Sequence, residues 1–105
     1  MFATKSGIRK KTTFIRDLTV DVEYLTACAG SEGVMAECAR LGDAVRFSDP
    51  KSDKKLEPIE EKILVQKTSL VEAIEAEDEE LVKTIVDNIL ALLVHRNQMC
   101  KAIKK

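Results

Sequence analysis

Residues 75–80 read Glu75-Ala76-Glu77-Asp78-Glu79-Glu80, and they decide how the second half of the chain folds. After Pro58 the sequence holds no further proline or glycine. Ile59, Leu70, Leu81, Leu92 and Ile103 follow one another at intervals of eleven. Ile63, Ile74 and Ile85 repeat that spacing in a second series, which ends at Arg96. Eleven residues make three turns at ~3.67 residues per turn, so one straight helix of ~45 residues would keep both stripes aligned. The acidic stretch opposes this reading. Its charges repel one another in the middle of a helix, whereas at a helix N-terminus they meet the positive end of the helix dipole, with Asp78 as the capping residue. Helices also average only about 11–12 residues. The preferred reading is a break near Ala76 to Asp78, giving a hairpin. The alternative is two short helices plus one long C-terminal helix in an oligomeric coiled coil.

Residues 46–57, upstream of Pro58, read as a linker. Pro50 disfavours helical backbone at Asp49, while Ser48, Asp49, Ser52 and Asp53 favour local turns. Pro58 suits the first turn of the next helix, where its missing N–H costs nothing. Before the linker, Val34, Cys38, Leu41 and Val45 recur at spacings of four, three and four, one face of a helix that Ser31 can cap after Gly30. Ile15, Leu18, Val22, Leu25 and Ala29 form an earlier stripe of the same kind. Val20, Val22 and Tyr24 also alternate with Thr19, Asp21 and Glu23, which is a strand pattern. A strand needs a partner, and no other segment reads as one, so helix is preferred. Extending the first stripe past Gly30 would put Glu32 and Asp43 in its seam, so two helices joined by a short turn are expected.

The expectation is an all-α fold: a small antiparallel bundle of about four helices, near 13–29, 33–47, 58–75 and 79–103. Residues 12–105 form one helical domain, preceded by a flexible basic arm at 1–11. Composition agrees. Of 105 residues, 45% are hydrophobic but only 4% aromatic, so the core must be aliphatic. Four glycines and two prolines are too few turn-makers for a many-stranded sandwich or barrel. The longest apolar run, Ile89 to Val94, is far shorter than the ~20 residues that span a bilayer. The N-terminus lacks the apolar stretch of a signal peptide, so a cytoplasmic protein with no membrane partner is expected. Cys28, Cys38 and Cys100 then read as reduced, buried thiols.

No phosphate-cradling glycine loop, CxxC, HExxH or EF-hand spacing occurs, and no catalytic, cofactor or metal residues are expected. His95 and Cys100 lie five apart, a poor spacing for two ligands on one helix face. As the only histidine, on an apolar helix, His95 reads as a partly buried side chain with its own hydrogen bond. An enzyme pairing it with a cysteine is the least favoured function class.

The last helix is apolar over more than one face, through Ile85, Val86, Ile89, Leu90, Leu92, Leu93 and Val94. Such a helix is central to its bundle or shared with a second chain. Ile85, Ile89, Leu92, Leu93, Arg96 and Met99 are therefore the candidate interface, for a second copy in a dimer or for another helical protein. Arg96 stands where the eleven-residue series calls for an apolar side chain. It either pairs with an acid at the bundle rim or marks a partner contact. Arg46-Phe47-Ser48-Asp49-Pro50 reads as a helix end, with Phe47 packed inward and Asp49 paired to Arg46. Its functional alternative is a recognition loop formed by Arg46, Phe47 and Asp49.

Net charge is −1, yet it is unevenly placed. Residues 1–16 carry five basic and no acidic residues, 57–80 two basic and nine acidic, and 95–105 four basic and no acidic. These features point to a non-enzymatic helical interaction module that self-associates. The alternative is a small nucleic-acid-associated accessory protein gripping phosphates with the basic arm. No base-stacking aromatics are interleaved with that arm.

Overall fold

Four helices follow one another: α1 (Thr13–Cys28), α2 (Glu32–Arg46), α3 (Glu57–Glu75) and α4 (Glu79–Lys104). A short 3-10 turn, Lys54–Leu56, leads into α3 within the segment expected as a linker. The computed structural model describes residues 13–49 and 53–104. The expected basic arm and the turn around Pro50 lie outside the described residues. Each helix begins and ends within one residue of the predicted range, and no strand occurs among the described residues.

Local chemistry explains the boundaries. In α1, Thr19 and Thr26 satisfy their hydroxyls within the helix by donating to the carbonyls of Ile15 and Val22, at 2.8 and 2.9 Å. Ser31 caps α2 by accepting the Val34 N–H at 3.2 Å. Pro58 lies in the first turn of α3, and the Asp53 carboxylate accepts the Lys55 N–H at 3.0 Å to begin the 3-10 turn.

The acidic stretch does break the helix. The Asp78 N–H donates to Ala73 O at 3.1 Å and the Glu77 N–H to Ile74 O at 3.0 Å, a Schellman ending of α3. Asp78 then caps α4 by accepting the Leu81 N–H at 3.2 Å. The turn requires positive φ at Glu77, which has φ 57°, a conformation that costs an L-residue roughly 1–2 kcal/mol and that glycine would adopt freely.

Two antiparallel hairpins result, α1–α2 and α3–α4. They join chiefly through α2 and α4, which run side by side in the same direction. Arg40 bonds Asp87 at 2.7 Å, and just past the end of α2 Ser48 meets Asn97. At the other end Gly33 faces Glu79, whose carboxylate occupies the space a Cβ would fill. The spatial order is thus α1, α2, α4, α3. The α1 and α3 edges approach more loosely, bridged by Lys67 and Asp21 at 2.7 Å. Both tight turns sit at one end, where Gly30 lies close to Glu77.

The main core is aliphatic, as composition requires: Leu18, Val22, Leu41, Val45, Ile63, Leu70, Val82, Val86 and Ile89 are all buried in it. A smaller cluster of Leu56, Ile59 and Cys100 seats the far end of α4 on the 3-10 turn and the start of α3. The surplus apolar surface of α4 has a use inside the chain, because α4 packs on both α2 and α3. No helix among the described residues is long and apolar enough to cross a membrane.

Candidate functional site

Two features at the α3–α4 hairpin stand apart from generic packing: a buried polar clasp and an open groove. The clasp centres on Arg96, which is fully buried. Its Nε donates to Glu60 Oε2 at 3.0 Å, joining α4 to α3. Its Nη1 donates to the Asp49 carbonyl at 2.8 Å, which ties down the chain just after α2. Asn97 extends the network, accepting the Asp49 N–H at 3.3 Å and donating from Nδ2 to Ser48 Oγ at 3.2 Å. Ser48 in turn donates to Ala44 O at 2.8 Å. The guanidinium also lies 5.3 Å from the centre of the Phe14 ring, a cation–π distance.

A charge this deeply buried persists only when paired and hydrogen-bonded. Every buried side-chain nitrogen and oxygen among the described residues has a partner. The clasp contains no nucleophile beside a base, and its geometry locks three helices and a loop together.

The groove lies on the outer side of the same hairpin. Val65, Lys62 and Gln66 of α3 face Asn88, Ala91, Leu92 and His95 of α4 across an open space of about 860 Å³. A smaller continuation of about 460 Å³ shares Gln66 and runs on past Ser69 and Glu72 to Ala76, with Leu81 and Ile85 opposite. Together they make one furrow from Pro58 to Ala76. Val65, 63% exposed, and Leu81, 44% exposed, place aliphatic side chains along this furrow.

The candidate interface residues are divided by this arrangement. Ile85, Ile89 and Leu93 are buried within the chain, and Arg96 is in the clasp. Leu92 and Met99 are half-buried, and Leu92 lines the groove. The loop residues are not brought together. Arg46 is exposed and pairs with Asp43 and with Glu23, the latter at 3.5 Å, instead of with Asp49. Phe47, expected to pack inward, is 87% exposed. The inward position belongs to Ser48, because the stripe Val34, Cys38, Leu41, Val45 continues by three to residue 48. Asp49 contributes its backbone to the clasp.

Two further expectations change. His95 is exposed on the groove, not partly buried. Cys28 is exposed at the end of α1, whereas Cys38 and Cys100 are buried. Burial, followed by the charge of Glu37, raises the Cys38 pKa. Tyr24, one turn before Cys28, has its pKa raised mainly through its hydrogen bond with that thiol. The three thiols and His95 occupy different surroundings: the main core, the smaller cluster, the α1 terminus and the groove. Among the described residues no group of three His, Cys, Asp or Glu side chains is placed to hold a metal ion.

Sequence reasoning overlooked Glu60, Asn97 and Ser48 as members of the clasp, and Val65 and Lys62 as groove residues. Arg96 did carry a signal, an arginine in an apolar series. Finding its partner requires the register of the hairpin. Comparisons with protein-family models, with curated proteins and with solved structures find no match to this chain.

Proposed function

We propose that this chain is a non-enzymatic helical interaction module whose contact surface is the α3–α4 groove, which receives apolar side chains of a protein partner. The observation that carries this reading is the groove itself: an elongated furrow with exposed Val65 and half-buried Leu92, edged by Lys62, Glu61, Asn88 and His95. Apolar surface rimmed by polar groups is the usual form of a protein contact site, since covering it releases water while the rim fixes orientation. The clasp supports such a role because it holds the two walls at a fixed spacing, and a preformed surface loses less entropy on binding. The free thiols, two of them buried, suit a reducing cytoplasmic setting.

A photo-crosslinking residue at Val65 tests the proposal in cells, with Val20, equally exposed on α1 and outside the groove, as the control position. A discrete protein adduct at residue 65 and none at 20 is the expected result. Equal, diffuse labelling at both positions, or none at either, overturns the reading.

A further inference from the structure

We propose that the partner seated in the α3–α4 groove is a second copy of this chain, docked head to tail by a two-fold axis through Asn88. The inference rests on the groove being a protein contact surface, and the placement of charge along it supplies the register. The furrow runs from Pro58 to Ala76 on α3, so its midpoint falls at residue 67. Lys62 and Glu72 both line it, five residues to either side of that midpoint. On α4 the lining runs from Leu81 to His95, and its midpoint is Asn88, itself a groove residue.

A two-fold axis across the furrow therefore lays α3 on the partner's α3 and α4 on the partner's α4, each antiparallel. Lys62 then meets the partner's Glu72, twice per dimer. Val65 meets the partner's Ser69, a larger side chain against a smaller one. Asn88 meets its own copy, and an amide carries both donors and an acceptor, so two can bond reciprocally. A polar residue at such a seam fixes register, as a buried asparagine does in coiled coils.

The opposite register is disfavoured by the turn. Residues 72–80 carry six acidic and no basic side chains, whereas 95–105 carry only basic charge. Head-to-head docking would stack the acidic turns of two copies. Antiparallel docking keeps the two acidic turns apart, at opposite ends of the furrow.

Size sets the expected strength. The 19 residues of α3 span roughly 28 Å, and two helices side by side are roughly 20 Å wide, a projected footprint of about 560 Å². Stable interfaces bury about 800 Å² per partner, so a reversible, concentration-dependent dimer is expected.

Sedimentation equilibrium of the full chain, between about 1 and 500 μM, provides the test. Lys62 and Glu72 are exposed, so Lys62→Glu and Glu72→Lys can be made without touching the core, with circular dichroism verifying helix content. Each single reversal should weaken dimerisation roughly tenfold, since it turns two attractive pairs into two repulsive ones. The double variant Lys62→Glu/Glu72→Lys should return to within about threefold of the unmodified chain. In a head-to-head dimer the double swap rescues nothing. A strictly monomeric chain, indifference to the single reversals, or absence of rescue each overturns the inference. The crosslink at residue 65 separates the two levels: an adduct with a different protein removes the self-docking proposal and leaves the interaction module standing, whereas no adduct removes both.

Discussion

Arg46 and Arg96 both drew notice in the sequence, and the structure gives them opposite situations. Arg46 ends α2 in solvent, reaching Asp43 and Glu23, all three side chains about half or more exposed. Arg96 is buried, with its partner Glu60 at 4% exposure. Their ion pairs look alike on paper and differ in energy. In water the gain from bringing charges together nearly cancels against lost hydration and side-chain freedom, leaving about 0–1 kcal/mol. Inside the protein the hydration is already lost, so removing one partner forfeits charge-assisted bonds that water does not replace. Arg46 is therefore dispensable, and Arg96 obligatory.

The largest test of that contrast is Arg96→Ala. It removes the Nε donor to the buried Glu60 carboxylate and the Nη1 donor to the Asp49 carbonyl. A loss of about 3–5 kcal/mol is expected in urea unfolding, a large part of the ~5–15 kcal/mol that holds a domain together. A loss under about 1 kcal/mol would erase the distinction between the two arginines.

Replacing both partners sharpens the contrast. Arg96→Met with Glu60→Leu removes both charges and fills the space with apolar atoms, so at least half of the single-variant loss should return. The recovery should be incomplete where α2 ends, because the Asp49 carbonyl still lacks this donor. Faster amide hydrogen exchange at residues 48 and 49, with little change in the centre of α4, is the expected signature. A double variant as unstable as Arg96→Ala would mean that the links to Asp49 and Phe14, not the Glu60 pair, dominate. Phe14→Leu isolates the aromatic share. It keeps an apolar side chain in place while removing the ring, at an expected cost of about 1 kcal/mol.

The same contrast explains which parts of the structure were legible in the sequence. Helix positions were, because each boundary has a local chemical cause: Ser31 after Gly30, Pro58 in a first turn, Asp78 after a run of acids. The eleven-residue series was legible but ambiguous, since its period continues through the turn. Ile59 and Leu70 are buried, whereas Leu81 and Leu92 border the groove, so one spacing serves two different faces. Phe47 was misjudged from residue type, although counting along its own stripe points to Ser48. Arg96 was visible as an exception in an apolar series, but its acid lies 36 residues away, and only the hairpin register chooses Glu60 among nine acids in 57–80. The groove was least legible. An outer face with Val65, Ala91 and Lys62 has no periodic signature of its own, and it exists only once two helices stand side by side.

The smallest effects belong to the surface pairs. Arg46→Ala should cost less than about 1 kcal/mol, and high salt should shrink even that. Arg40 and Asp87 are the more informative case, because they link α2 to α4 at 2.7 Å while remaining exposed. The Arg40 hydrogen bond is the main cause holding the Asp87 carboxyl below its ordinary range, with Lys83 adding to it. A carboxylate whose folded pKa is lowered stabilises the fold above its unfolded value and loses that contribution as pH falls through the folded one. Carboxyl NMR should therefore show Asp87 titrating below the ~3.9 of a free aspartate, and both Arg40→Ala and 1 M salt should raise its midpoint. A midpoint at the free value in low salt would mean that the two side chains spend most of their time apart in solution. The junction between the hairpins would then rest on packing, on the clasp and on the Lys67–Asp21 bridge.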